Sequence, residues 1–186
     1  MKENKNRVCP VELAGSLDNK IRKWIQNPNK ILSPYVKEGM KVLDIGCGPG
    51  FFSVELAMLV GTAGKVIAAD LQEGMLQKVN DKISGTVLEK IIKLVKCEKD
   101  SINVFEEVDF ILCFYMVHEV PGKERFFREL KNILSGNGKI LIIEPSFHVT
   151  EREFASTMNT AANIGLKINP GPKMFLNRSS ILTDNR

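Results

Sequence analysis

The chain has 186 residues, of which 44% are hydrophobic and 26% are charged, a composition typical of one folded globular domain. Its longest apolar run, residues 110–117, is far shorter than the ~20 residues that span a bilayer, and no apolar signal segment begins the chain, so we expect a cytoplasmic protein. The formal net charge is +4, and residues 1–41 alone hold nine lysines and arginines against four acids.

The first forty residues predict a helical preface. Apolar side chains recur at steps of three and four between Leu13 and Ile25, and Asn27-Pro28 ends the pattern. We expect residues 1–38 to form this preface and residues 39–186 the core of a single domain. Its basic side chains could meet an acidic substrate, a membrane surface or RNA, or form a solvated helix face. The lack of aromatic residues among them argues against RNA.

Beyond the preface, β-branched runs alternate with amphipathic segments, which predicts βαβ units and a parallel sheet. The predicted strands cover residues 41–45, 65–69, 91–96, 109–114 and 138–144. The predicted helices cover residues 51–60, 73–83, 122–135 and 150–164.

The first of these strands leads into a glycine loop. Asp44 stands near the strand's end, and Gly46, Gly48 and Gly50 follow at every second position before the helix at 51–60. Glycine tolerates a positive φ and has no Cβ, so the loop can turn tightly and let a ligand press against bare backbone. Unpaired N–H groups at the start of the helix suit an anionic group of a nucleotide-like cofactor.

The glycine spacing differs from the dinucleotide fingerprint, which reads G-x-G-x-x-G. Past Gly50, a second apolar run ends in Asp70. A carboxylate at the carboxyl end of a strand can accept both hydroxyls of a ribose. We therefore expect a cofactor that has a ribose and needs no long phosphate cradle.

The motif acid-x-Gly-x-Gly-x-Gly at Asp44, with the following helix, second strand and Asp70, resembles that of class I S-adenosylmethionine-dependent methyltransferases. The resemblance covers residues 36–145 and implies an α/β fold with a Rossmann-like doubly wound sheet, mostly parallel, with an antiparallel strand near the C-terminus. It implies S-adenosyl-L-methionine as cofactor and S-adenosyl-L-homocysteine as product. In the family, the short runs at 166–169 and 173–176 would be the closing antiparallel pair.

The same resemblance implies binding roles for individual residues. Asp44 would orient the methionine amino group, Asp70 would take the ribose hydroxyls, and Glu98 would hold the adenine amino group where the family usually has an aspartate. Asp100 lies near enough to compete for that last role, and Glu98 could also be an ordinary surface side chain. The implied cofactor-binding set is Asp44, Gly46, Cys47, Gly48, Gly50, Phe51, Asp70, Leu71, Gln72, Met75, Glu98 and Phe114.

The end of the fourth strand is the second informative segment, because open α/β sheets bind ligands at the carboxyl ends of their strands. It resembles the corresponding segment of the ubiquinone/menaquinone-type small-molecule methyltransferases. It lacks the Asn/Asp-Pro-Pro-Tyr/Phe box of amino-methylating nucleic-acid enzymes, and Cys113 lies inside the strand, unlike the loop cysteine of cytosine-C5 enzymes. A nucleic-acid acceptor is therefore not favoured.

His118 is the candidate general base, since its ordinary pKa lies near neutrality. The alternative is that His118 only shapes the pocket. Assisting residues could be Tyr115, Glu119 and Glu144. Side chains that could line the acceptor side are Trp24, Tyr35, Tyr115, His118 and Met158.

The sequence thus predicts a methyltransferase that acts on a small or lipid-like acceptor. One alternative is a non-catalytic S-adenosylmethionine-binding or regulatory module, because no residue is an obligatory catalyst. An arsenite-type methyltransferase would need converging thiolates, whereas Cys47 lies inside the glycine loop and Cys113 in a strand that we expect to be buried. Because the cysteines form no C-x-x-C pair, we expect buried thiols and no metal site. The four cysteines are Cys9, Cys47, Cys97 and Cys113.

Overall fold

The computed structural model of the chain describes residues 27–184, and these contain one seven-stranded sheet. The strands are β1 (Lys41–Ile45), β2 (Lys65–Asp70), β3 (Ile92–Lys96), β4 (Val108–Phe114), β5 (Leu134–Pro145), β6 (Leu166–Pro170) and β7 (Asn177–Asp184). The helices are α1 (Pro28–Leu32), α2 (Phe51–Val60), α3 (Glu73–Ile83), α4 (Lys123–Ile133) and α5 (Glu151–Asn163). Short 3₁₀ turns lie at Val87–Lys90 and Val117–Glu119.

The strand order is β3-β2-β1-β4-β5-β7-β6, with β7 antiparallel to both of its neighbours and all other pairs parallel. The chain builds outward from β1 in one direction through β2 and β3, and then returns to the other side of β1 with β4. The strand order therefore reverses between β1 and β4, which is where open α/β sheets form a ligand-binding crevice. This mixed, doubly wound α/β arrangement confirms the predicted fold class.

Each face of the sheet carries its own apolar cluster. On one face, Phe52 and Leu56 of α2 and Leu76 of α3 pack against the sheet; on the other, Phe127 and Leu130 of α4 do so. The two central strands β1 and β4 are buried on both faces, so their sequences are nearly continuous apolar runs. The single polar exception in the middle of β1 is Asp44.

Most predicted elements agree with the structure within one or two residues. Strand β1 and helices α2 and α3 have the predicted bounds. Strand β5 begins earlier than predicted, at Leu134, because the glycine-rich stretch after α4 lies within an irregular register between Leu134 and Lys139. Thr150 and Glu153 form a capping box that fixes the start of α5.

The prediction for the end of the chain was wrong in one element. The first of the two closing strands is present as β6, but residues 173–176 form a loop and the second strand is β7, at Asn177–Asp184. In the structure β7 pairs with β5 over seven positions, from Lys139↔Thr183 to Pro145↔Asn177. Pairing with a distant strand, rather than local pattern, makes this polar segment a strand.

Three further expectations can be compared with the described residues. Cys47, Cys97 and Cys113 are free and buried, as predicted, whereas Cys9 and the apolar repeat of the preface lie outside residues 27–184. No helix within residues 27–184 is long and apolar enough to cross a membrane.

Candidate active site

One edge of the sheet collects the residues that the sequence singles out. The glycine loop follows β1, Asp70 ends β2, Tyr115 and His118 follow β4, and Glu144 lies at the end of β5. These strands are parallel, so their carboxyl ends meet at one edge, and β1 and β4 flank the point where the strand order reverses. The candidate site therefore extends from Asp70 across this point to Glu144.

The three loop glycines all have positive φ, but what surrounds them differs. A Cβ on Gly46 would lie 2.8 Å from Met116 Cγ, and one on Gly50 would lie 3.0 Å from Val79 Cγ2, so these two glycines are needed for packing. A Cβ on Gly48 would meet nothing within 4 Å. Gly48 therefore presents bare backbone to open space, which is the surface that a cofactor could approach.

Asp70 lies directly beside that open surface. Its Oδ2 accepts a hydrogen bond from the Gly48 N–H at 2.9 Å, and its Oδ1 accepts one from the Gln72 N–H at 2.8 Å. Burial raises the pKa of the Asp70 carboxyl, while these two hydrogen bonds and the nearby Lys96 ammonium oppose the rise. The Leu71 N–H also bonds this carboxyl, so backbone N–H groups hold the carboxylate beside the open surface, where it could accept hydroxyls.

Asp44 lies beneath the loop. Only 2% of it is exposed, and its Oδ2 accepts a hydrogen bond from the Ser53 hydroxyl at 2.6 Å. This bond ties the end of β1 to the first turn of α2, whose N-cap Gly50 offers no side-chain cap. The amino end of α2, where backbone N–H groups favour an anionic group, therefore lies directly after the glycine loop. The sequence analysis did not identify Ser53, although a hydroxyl in the first turn of the helix that follows Asp44 could have suggested this bond.

The other predicted cofactor-binding residues surround this centre at different depths. Leu71 and Gln72 are half-buried beside Asp70, whereas Phe51, Met75 and Cys47 are buried. Phe114 is buried too, with its ring centroid 4.3 Å from that of Phe52. Glu98 differs from this group: it is exposed, and its backbone pairs with Ser101 in an isolated bridge after β3.

The described cysteines carry neutral thiols. Burial raises the pKa of Cys47 and Cys113 well above the ordinary value and that of Cys97 to about 12, with neighbouring carboxylates adding to each rise. Buried, protonated thiols are poor ligands for a metalloid. The arsenite-type alternative therefore finds no support in residues 27–184.

On the other side of the reversal point, His118 and Glu144 form a close pair. His118 Nδ1 lies 2.6 Å from Glu144 Oε2, and the His118 backbone N–H donates to Glu144 Oε1 at 3.0 Å. Glu144 is buried, whereas His118 is partly exposed, and its Nε2 lies 3.9 Å from Glu119 Oε1. The hydrogen bond to Glu144 raises the pKa of His118 above its ordinary 6.5, although burial opposes the rise.

Tyr115 occupies a strained position at the end of β4. Its φ is +59°, which is uncommon for a bulky side chain, and its ring stacks on Phe114 with centroids 4.1 Å apart. Its hydroxyl donates to Asn177 Oδ1 at the start of β7. Asn177 was missed by sequence reasoning because β7 itself was missed.

Two residues expected on the acceptor side lie elsewhere. Tyr35 stacks on Phe110 in the first half of β4, and Met158 is a buried residue of α5 that packs into the core. Tyr35 is partly buried against the apolar cluster on one face of the sheet, and Met158 belongs to the cluster on the other face. Trp24 lies outside the described residues. Of the expected acceptor-side residues, Tyr115 and His118 are at this edge.

Comparison with known proteins agrees with this geometry. A family profile described as a methyltransferase domain matches residues 36–171. A crystal structure of an S-adenosylmethionine-dependent methyltransferase from Aquifex aeolicus superimposes with a TM-score of 0.84 at 25% identity, covering 94% of this chain and 98% of that one. A Methanococcus maripaludis structure has the same fold, with a TM-score of 0.77 at 19% identity over 100% of this chain and 98% of that one.

Two of the sequence relatives have names that refer to menaquinone or ubiquinone. A demethylmenaquinone methyltransferase of Lactobacillus johnsonii is 31% identical over 112 residues, which are 60% of this chain and 46% of the relative. A ubiquinone/menaquinone biosynthesis C-methyltransferase of Cronobacter sakazakii is 29% identical over 120 residues, 62% of this chain and 47% of the relative. The chain thus spans about half the length of the relatives that it matches.

Proposed function

Because the chain belongs to the family of class I S-adenosylmethionine-dependent methyltransferases, we propose that it transfers the methyl group of S-adenosylmethionine to a small, quinone-like acceptor. The observation that carries the proposal is the open backbone of Gly48 beside the Asp70 carboxylate, with the His118–Glu144 pair across the reversal point. The names of the sequence relatives support the acceptor class.

The residues around Gly48 fit the cofactor. The Asp70 carboxylate beside Gly48 suits the ribose hydroxyls, and the amino end of α2 suits the carboxylate of the methionine moiety. Asp44, fixed by Ser53, lies beneath the loop where the methionine amino group would bind, and Leu71 offers an apolar wall to the adenine. When bound, the cofactor supplies a methyl group attached to a positively charged sulfonium sulfur. This sulfur is an excellent leaving group, since it departs as the neutral thioether of S-adenosylhomocysteine.

On the acceptor side, the chain contributes position and a proton acceptor. Glu144 engages both the ring and the backbone of His118, which fixes the imidazole with Nδ1 toward the carboxylate and leaves Nε2 for the acceptor. His118 would take the proton that the acceptor loses on methylation. Alignment of the acceptor with the methyl group can supply much of the rate, because orienting the reacting groups lowers the barrier of well-aligned intramolecular reactions by ~7–11 kcal/mol.

A two-part experiment tests this function. S-adenosylmethionine is first titrated into the protein by calorimetry, and then radiolabelled cofactor is incubated with a reduced naphthoquinone acceptor and with lipid extracts. We expect saturable binding, and label that enters the acceptor in proportion to the S-adenosylhomocysteine formed. Tight binding without labelled product in any fraction would contradict the proposal and favour a regulatory module.

A matched pair of variants tests the role of His118. His118→Ala should bind the cofactor normally and lose turnover. The control is His148→Ala, whose exposed ring lies parallel to that of His118 with centroids 6.2 Å apart but makes no hydrogen bond to Glu144. Normal turnover in His118→Ala would restrict His118 to shaping the pocket.

A further inference from the structure

Three large apolar side chains are exposed at the carboxyl edge of the sheet, next to the candidate site. Phe147 follows β5 and is 70% exposed, while Phe175 and Leu176 precede β7 and are 87% and 56% exposed. The two loops are joined by a hydrogen bond from the Ser146 N–H to the Leu176 carbonyl at 2.9 Å. We call these three residues the apolar rim.

The loop that carries two of the three rim residues is basic. The part of the hairpin at this edge, residues 170–178, contains Lys173 and Arg178 and no aspartate or glutamate. Lys173 is exposed and stands two residues before Phe175. The rim is therefore apolar at its tip and basic at its flank.

This combination fits an anionic lipid surface better than a protein groove. Aromatic and aliphatic side chains gain free energy by entering the boundary between headgroups and acyl chains, and lysine or arginine beside them is attracted to anionic lipids. The rim residues lie on two loops, whereas a helix-binding groove would need a concave apolar surface. We propose that the apolar rim docks the protein on the surface of an anionic lipid bilayer.

Docking in this way has a consequence for the site. The rim and the residues Tyr115, His118 and Glu144 belong to the same edge of the sheet, and Tyr115 is bonded to Asn177 directly after Leu176. A bilayer against the rim would face the acceptor side of the site. If the proposed function holds, an apolar acceptor could then pass from the lipid to His118 without crossing bulk water.

The test of docking uses the whole chain without cofactor or acceptor, so its outcome is independent of the proposed function. Co-sedimentation is measured with vesicles of phosphatidylcholine mixed with phosphatidylglycerol and with vesicles of phosphatidylcholine alone. We expect binding to the mixed vesicles, and a loss of at least about tenfold in the partition coefficient for Phe175→Ser combined with Leu176→Ser. Lys173→Glu should weaken binding to the mixed vesicles by about fivefold or more.

The chain offers a matched control in Phe105. It is 86% exposed, as exposed as Phe175, but precedes β4 and therefore lies at the opposite edge of the sheet. Phe105→Ser should bind vesicles like the unaltered protein, and thermal melting should show every variant folded. Docking would be refuted by absence of binding to mixed vesicles, by equal losses in Phe105→Ser and the rim variant, or by light scattering that shows the rim joining two copies instead.

Discussion

At the scale of single residues, Asp70 is the side chain on which the cofactor assignment depends. It fixes the loop through the Gly48 and Gln72 N–H groups, and in the proposed function it holds the ribose. Asp70→Ala should weaken S-adenosylmethionine binding at least about tenfold, because charge-assisted hydrogen bonds to the ribose are lost. Calorimetric titration measures this change.

The control for Asp70 is Asp100→Ala. Asp100 is exposed and lies beyond β3, so its removal should leave the affinity within about a factor of two. This control also tests the adenine assignment, since Asp100 was the competitor of Glu98. If Asp70→Ala bound S-adenosylmethionine with unchanged affinity, the proposal that Asp70 holds the ribose would be refuted.

His118 gives a prediction about pH. Its imidazolium cannot accept a proton, so kcat/KM should fall as the pH drops through the pKa of His118, which Glu144 raises above 6.5. Glu144→Gln removes the carboxylate that stabilises the imidazolium. The pKa should fall, and the acidic limb of the pH profile should move to lower pH.

The comparison for this experiment is Glu119→Gln. Glu119 also raises the pKa of His118, but less than Glu144 does, and its Oε1 is 3.9 Å from Nε2. Its substitution should move the acidic limb less. If the acidic limb of the kcat/KM profile had the same midpoint pH in Glu144→Gln as in the unaltered protein, His118 would not be the group whose titration limits activity.

At the scale of elements, the glycine loop contains glycines that are needed for packing, Gly46 and Gly50, and one that we expect to contact the cofactor, Gly48. Gly48 and Gly39 both have positive φ, and a Cβ added to either would have no atom within 4 Å, but Gly39 lies before β1, at the opposite edge from the site. Alanine at either position should cost about 1 kcal/mol of stability through backbone strain. Only Gly48→Ala should weaken cofactor binding.

Paired melting curves and titrations check this division. Equal losses of affinity in Gly39→Ala and Gly48→Ala would show that strain, rather than contact with the cofactor, controls binding. Unchanged affinity in both variants would mean that the open surface at Gly48 is not used.

The elements that sequence could predict are those whose pattern is local. The apolar run of β1 and the stripe of Phe126, Phe127 and Leu130 on α4 carry their own periodicity. Strand β7 could not be predicted in this way, since its polar first half becomes a strand only by pairing with β5. The start of β5 was missed for a related reason: the glycines after α4 look like a stop, yet the chain there already pairs with β4.

The same division holds within the site. The contact between Gly48 and Asp70 joins two features that the sequence displays, a glycine loop and an acid at a strand's end. The bond between Tyr115 and Asn177 spans 62 positions and involves the strand that was missed. The orphaned Nη1 of Arg178, buried without a hydrogen-bond partner, could not be anticipated either, because it depends on the same strand.

At the scale of the whole molecule, the edge opposite the site is stabilised by charge. Glu106 lies 2.8 Å from Lys65 Nζ, 2.5 Å from Lys93 Nζ and 3.8 Å from Lys41 Nζ. The hydrogen bonds from Lys65 and Lys93 lower the pKa of Glu106 to about 2 from 4.5. The amino ends of β1, β2 and β3 are thereby joined through one carboxylate.

The sign of this shift gives a prediction about stability. A carboxyl group whose pKa is lowered on folding stabilises the protein at pH values above the pKa that it has in the unfolded chain. For Glu106 this contribution disappears as the pH falls from 4.5 toward about 2. Glu106→Gln should lower the free energy of unfolding at neutral pH by about 1 kcal/mol or less, because the group is partly exposed. Denaturant unfolding of both proteins at neutral pH and near pH 3 measures the difference, which should shrink in acid. A difference that stays constant with pH would contradict the network.

The two edges of the sheet thus have different tasks. The amino edge is held by an ion-pair network, while the carboxyl edge gathers the glycine loop, three buried acids, a histidine and the apolar rim. The strand order reverses between β1 and β4, and in the proposed function this point separates a cofactor half of the carboxyl edge from an acceptor half. Methyl transfer at this edge requires the cofactor to occupy its half with the methyl group directed toward the other.

A crystal structure with S-adenosylhomocysteine bound tests this arrangement most directly. We predict the ribose hydroxyls on the Asp70 carboxylate, the homocysteine chain over Gly48 and the sulfur directed toward Tyr115 and His118. A ribose that makes no contact with Asp70, or a sulfur directed away from His118, would contradict it.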